Sequence, residues 1–194
     1  MAGNAKGRIV VGITGASGIQ FGVRATGALS ALGYEVHTII SDAARKTASA
    51  EGFADFEAQA RKNSERVYLE DDIGADISSS SYDVRGMVVI PCSIKTLGEI
   101  ASGIASNLIS RSALNTLRMR KRLAIVLRES PLGMIELENA LRITRAGGII
   151  VPASPGFYTH PETVDDIIDF VVGKALDALE IDNELYRRWR TGRK

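Results

Sequence analysis

Apolar, β-branched runs of strand length recur along the chain. They are Ile9-Val10-Val11-Gly12-Ile13, Val36-His37-Thr38-Ile39-Ile40, Met87-Val88-Val89-Ile90, Leu123-Ala124-Ile125-Val126-Leu127 and Ile149-Ile150-Val151. A run this apolar, with no polar alternation, reads as a strand covered on both faces of a parallel sheet. Helical spacing lies between most of them, so the alternation predicts βαβ units. The clearest helix is the last, where Val164, Ile167, Ile168, Val171, Val172, Ala175, Leu176 and Leu179 fall on one face. Thr163 and Asp166 form its capping box after Pro161, and Gly33 and Gly147-Gly148 sit where helix C-caps are expected. From Glu51 to Tyr82 no clean period emerges; a helix through Phe53, Phe56 and Ala60 is followed by a long loop ending in Ser78-Ser79-Ser80-Ser81. We expect a single domain over residues 1–194, with 1–7 and 181–194 as peripheral tails. The second tail should pack loosely, pinned by Trp189.

Small or polar residues follow every run: Thr14-Gly15-Ala16-Ser17-Gly18, Ser41-Asp42, Pro91-Cys92-Ser93, Arg128-Glu129 and Pro152-Ala153-Ser154-Pro155. In a parallel sheet these lie on one edge, and ligands of open α/β sheets bind just outside the carboxyl ends of the strands. Arg128 and Glu129 on that edge are candidates for anion binding and proton transfer.

Composition narrows the partners. Hydrophobic content of 45% and charge of 24% are those of a globular chain, and the net charge of +1 argues for neither nucleic acid nor membrane. The N-terminal residues lack a signal peptide's apolar core, so a soluble, cytoplasmic protein is expected. One cysteine excludes an intrachain disulfide framework.

Gly12-Ile13-Thr14-Gly15-Ala16-Ser17-Gly18 joins the first strand to a helix. Glycines let a backbone approach a phosphate, and a helix start supplies unpaired N–H donors. The spacing is not G-x-G-x-x-G, and no Lys-Ser/Thr follows as in a P-loop, so a mononucleotide such as FMN is favoured over NAD or ATP. A ligand-free tight turn is the plainer alternative. Ser93-Ile94-Lys95-Thr96 opens the next rim helix, with Ser93 as its cap; with Ser17 and Ser41 it makes a polar bowl. Cys92 reads as a small buried hydrophobe, His37 as structural and His160 as exposed, so no metal site is expected. Asp71-Asp72-Ile73-Gly74-Ala75-Asp76 reads as a solvated acidic turn. Arg111 and Arg118 stand two helical turns apart on one face, a solvated basic face unless other residues converge there.

Taken in order, Thr14-Gly15-Ala16-Ser17-Gly18, Pro91-Cys92-Ser93-Ile94-Lys95-Thr96-Leu97, Asn107-Leu108-Ile109-Ser110-Arg111, Arg128-Glu129-Ser130-Pro131-Leu132, Leu137-Glu138-Asn139 and Pro155-Gly156-Phe157-Tyr158 resemble the UbiX-type flavin prenyltransferases from about Arg8 to Leu179. The resemblance implies a flavodoxin-like or Rossmann-like three-layer sandwich, with about five to six mostly parallel strands. It implies reduced FMN as acceptor, dimethylallyl phosphate as donor, and prenylated FMN as a product passed to UbiD-type decarboxylases. It assigns FMN binding to Gly15, Ala16, Ser17, Ser41, Ser93, Ile94, Lys95, Thr96 and Arg128. Around the prenyl phosphate it places Arg111, Arg118, Glu129, Tyr158 and Lys174, with Ser17, Glu51 and Glu129 as catalytic groups. A homo-oligomer, commonly a dodecamer, is implied, in which Arg111 acts across an interface.

Two positions depart from that family's pattern: Arg118 stands where lysine is usual and Lys174 where arginine is usual. Charge survives each exchange, but fork geometry does not. Glu136 replaces a frequent histidine. The implied chemistry is metal-independent, with fixed cations neutralising the leaving phosphate and Glu129 protonating it. Two alternatives are a flavin-dependent cysteine decarboxylase and an FMN-binding accessory subunit of an aromatic-acid decarboxylase. The first lacks its Pro-x-Met-Asn segment and rim histidine here. The second has no use for Arg111, Arg118, Glu129 and Lys174 together.

Overall fold

The computed structural model describes residues 6–189. Strands β1 (Arg8–Ile13), β2 (Glu35–Ile40), β3 (Arg66–Leu69), β4 (Gly86–Cys92), β5 (Arg122–Leu127) and β6 (Ile149–Pro152) form one sheet in the order β3-β2-β1-β4-β5-β6. Every pairing is parallel. Helices α1 (Ile19–Ala31), α2 (Asp42–Ala50), α3 (Phe56–Lys62) and α7 (Val164–Ala178) cover one face; α4 (Ile94–Ala101), α5 (Leu108–Arg118) and α6 (Met134–Arg145) cover the other. The period of two along each strand feeds both layers: Ile9, Val11, Val88 and Val126 join the first core, Val10, Met87, Val89 and Ile125 the second. The expected three-layer α/β sandwich is the one found.

The chain winds outward from β1 to β3, then crosses back to β4 and winds the other way. Its direction therefore reverses between β1 and β4, and the carboxyl edge at such a reversal is where open α/β sheets form their ligand crevice.

Three local expectations need correction. The loop expected before Tyr82 contains β3, a short edge strand paired with β2, and a single 3-10 turn at Asp76–Ser78. Val164 is not on the buried face of α7; it begins the helix in solvent at 71% exposure. The segment after α7 is not loose as far as residue 189. It folds back along the helix: Ile181 is buried, Asn183 donates to the Gly173 carbonyl (3.3 Å) and Asp177 (2.9 Å), and Tyr186 packs edge-on against Phe170 at 5.0 Å. Residues 1–5 and 190–194 of the two expected tails lie outside the described residues.

α6 turns an apolar side outward, with Met134 at 75%, Ile135 at 72% and Leu137 at 56% exposure, and only Ile143 of this helix is fully buried.

Candidate functional site

The crevice between β1 and β4 is built by Thr14. Its hydroxyl donates to the Pro91 carbonyl (2.7 Å) and accepts from the Ser93 amide (2.8 Å), clasping the two strand ends together. The next three residues, Gly15, Ala16 and Ser17, donate their amides to no acceptor among the described residues. Gly15 is needed for close approach, because a Cβ there would stand 2.9 Å from the Ala43 carbonyl carbon. Thr47 of α2 fixes the same loop by donating to the Gly15 carbonyl at 3.2 Å. Three free amides in a fixed loop beside the Ser17 hydroxyl fit a phosphate or a flavin edge.

The start of α1 is used differently from expectation. Gly18 takes the left-handed conformation at φ 91° and has no side chain to cap the helix. Glu51, at the end of α2, reaches over instead and accepts from the Gly18 amide at 2.8 Å and the Ile19 amide at 3.3 Å. Those two donors are therefore not free for an anion, and the Glu51 carboxylate is held beside Ser17.

Ser41 and Ser93 share the rim as predicted, and each caps a helix: Ser41 accepts from Ala44 (3.0 Å) and Ser93 from Thr96 (3.3 Å). Thr96 is buried and receives a hydrogen bond from the Ser93 hydroxyl. Ile94 is 42% exposed, and the Lys95 ammonium points to Glu99 at 3.5 Å rather than into the bowl. Glu70, which sequence reasoning missed, braces the rim. It accepts from the Asp42 amide (2.7 Å) and from Asn107 (3.2 Å), the cap of α5. Its only sequence signal is its place after Val67-Tyr68-Leu69.

At the end of β5, the Arg128 amide donates to the Cys92 carbonyl at 3.2 Å, which sets the residue on the rim beside β4. The Arg128 side chain is exposed and forms no ion pair among the described residues. Glu129 is exposed too, and among the described residues it accepts only the Ser130 amide, at 3.0 Å. Glu136, unassigned by sequence, caps α6 by accepting from the Gly133 amide at 2.8 Å. Cys92 is buried, and desolvation pushes its thiol well up, so no thiolate nucleophile is available. His37 is structural: its ring nitrogens meet Tyr68 and Glu35, each at 2.9 Å.

Tyr158 and Lys174 come together on the α7 face. Tyr158 stands edge-on to Phe170 (5.9 Å) and Trp189 (5.3 Å), while Lys174 lies 5.8 Å from the Phe170 ring and 5.1 Å from the Tyr186 ring. Arg111 and Arg118 are not with them. Both belong to α5, on the opposite face of the sheet, where Arg111 donates to the Ser78 carbonyl (3.1 Å) and Arg118 to Asn115 (3.0 Å). One chain therefore presents the expected phosphate ligands in separate groups.

Known proteins resemble the chain in sequence and in fold. The family model Flavoprotein matches residues 2–176. The chain is 52% identical over 185 residues to the flavin prenyltransferase UbiX of Saccharolobus solfataricus, covering 94% of this chain and 92% of that one. Among solved structures it superposes with a TM-score of 0.90 on AnUbiX (PadA1) in complex with FMN and dimethylallyl pyrophosphate, at 40% identity over 96% of this chain and 98% of that one. A dodecameric FMN-dependent UbiX-like decarboxylase from Escherichia coli O157:H7 also matches at 0.90, with 39% identity over 94% and 99% of the two chains.

Proposed function

The chain belongs to the UbiX flavin prenyltransferases of the Flavoprotein family, and from that membership we propose how its residues divide the work. The protein is a transferase that joins a dimethylallyl group to FMN. Reduced FMN supplies the nucleophile, taking the group at N5 and C6.

The observation that carries this reading is the strand reversal between β1 and β4, where the amides of Gly15, Ala16 and Ser17 have no acceptor among the described residues. We assign Gly15, Ala16, Ser17, Ser41, Ser93, Ile94, Lys95, Thr96 and Arg128 to the flavin. Ile94 and Lys95 act through their backbone at the start of α4, because the Lys95 side chain leans away. Arg128, which forms no ion pair among the described residues, keeps its charge for an anion. Glu51, oriented by two amides, receives the proton lost on ring closure through Ser17.

The leaving phosphate needs concentrated positive charge. Tyr158 and Lys174 supply one wall, Glu129 the proton, and Arg111 and Arg118 a second wall from another copy of the chain. The exposed apolar side of α6, with Met134, Ile135 and Leu137 outward, fits an association of copies, since patches of this kind mark protein contacts. The donor is dimethylallyl phosphate, and the product goes to a UbiD-type decarboxylase in the cytoplasm.

Anaerobic incubation with reduced FMN and dimethylallyl phosphate tests the reading. Inorganic phosphate should be released while the flavin gains one isoprene unit in mass. An FMN carrier gives neither signal, and dimethylallyl pyrophosphate as a parallel substrate decides the donor.

A further inference from the structure

The segment after α7 runs beside that helix and ends against Tyr158, and what holds it there also touches Lys174. Asp177 is the hub. It accepts two hydrogen bonds from the Arg188 guanidinium, at 2.7 and 3.0 Å, one from Asn183 at 2.9 Å, and one from the Tyr186 hydroxyl at 2.5 Å. Tyr186 can sit this close only because position 173 is glycine; a Cβ there would lie 2.9 Å from the Tyr186 Cε1 atom.

Charge explains why the arrangement favours an anion. Arg188 neutralises the Asp177 carboxylate, so the positive charge of Lys174 is left for a ligand. The Tyr186 hydroxyl donates to Asp177, which turns its lone pairs toward other donors. The Lys174 ammonium lies over two ring faces, 5.1 Å from the centre of the Tyr186 ring and 5.8 Å from that of Phe170, whose negative faces attract it. A ring face takes up none of the ammonium's three N–H donors, so all three remain for phosphate oxygens. At this position the family resemblance expects an arginine, whose fork is rigid. A lysine needs an external brace to match it.

We propose that Tyr186, oriented by the Asp177–Arg188 pair, is a positioning residue for the prenyl-phosphate site: it fixes the Lys174 ammonium where the donor's phosphate binds. This rests on the assignment of Lys174 to that phosphate. Residues 181–189 are then a working part of the donor site.

The test is a double-mutant cycle with Tyr186→Leu and Lys174→Met, measured as KM for dimethylallyl phosphate, kcat and FMN affinity. Tyr186→Leu removes the ring face under the ammonium and should raise the donor KM about fivefold, the worth of one cation–ring contact, with FMN affinity unchanged. Tyr186→Phe keeps the ring in its Gly173 notch, loses only the bond to Asp177 and should raise the KM less. In the Lys174→Met background Tyr186→Leu should add nothing. An unchanged KM in Tyr186→Leu, or an equal loss in both backgrounds, overturns the positioning role while leaving Lys174 as a ligand. If Lys174→Met alone leaves the donor KM intact, the phosphate assignment itself falls, and this role with it.

Discussion

The Glu51 carboxylate bonds the Gly18 amide at 2.8 Å and the Ile19 amide at 3.3 Å, so the end of one helix caps the start of another. Glu51→Gln keeps an oxygen acceptor but loses the negative charge facing the α1 terminus. Stability should fall by about 1 kcal/mol, a drop of about 2–4 °C in thermal midpoint for a chain this long. Prenylation should slow by about 100-fold or more through loss of the proton acceptor. Thermal unfolding and single-turnover flavin mass spectrometry measure the two effects separately.

Gly15→Ala places a methyl group against the Ala43 backbone, which cannot rotate away. The loop must shift, costing about 1–3 kcal/mol and misaligning the free amides. FMN titration should show weakened binding even where the variant remains folded; Ser17→Ala, which adds no bulk, should bind FMN much closer to the parent protein.

Glu129 stands at the rim with one local hydrogen bond, from the Ser130 amide. Glu129→Gln should slow phosphate release by about 100-fold or more and leave FMN affinity nearly unchanged. Equal losses in both measurements would contradict an acid role and point to flavin binding instead.

Asp177 links acidity to the segment of residues 181–189. Burial alone would raise its carboxyl, but hydrogen bonds from Arg188 and Tyr186 outweigh burial and hold it below the ordinary aspartate value. Its contribution to stability is complete above the unfolded-state value of about 3.9 and is lost as the pH falls through the lower native value. Trp189 is the sole tryptophan and touches Tyr158, so its fluorescence anisotropy follows this segment directly. Anisotropy should hold steady at neutral pH and drop below about pH 4. Asp177→Asn should lower it already at neutral pH.

The strands that pack on both faces were legible because continuous apolar runs have few other uses: β1, β2, β4, β5 and β6 coincide with the runs that predicted them. β3 was not legible. An edge strand of four residues with Arg66 at its head needs little apolar surface, and only Tyr68 within it is fully buried. The rim motifs could be read because glycine and serine after a buried run have few structural reasons to cluster. Glu51 was identified through family likeness, yet its bonds to α1 depend on a contact across more than thirty positions, which no local pattern encodes. The same holds for Asp177, Tyr186 and Arg188, whose spacing looks like an ordinary charged tail until the chain folds back. Lys95 shows the converse, since a motif residue on the rim directs its side chain to a neighbour in its own helix.

Arg111 and Lys174 lie on opposite faces of one sheet, so a chain damaged at either position still carries the other intact. Two impaired proteins, Arg111→Met and Lys174→Met, should therefore rescue each other when unfolded together and reassembled. Random mixing would rebuild roughly a quarter of the pockets from undamaged halves. Turnover in the mixture above that of either protein alone would reveal a pocket built by subunits in common.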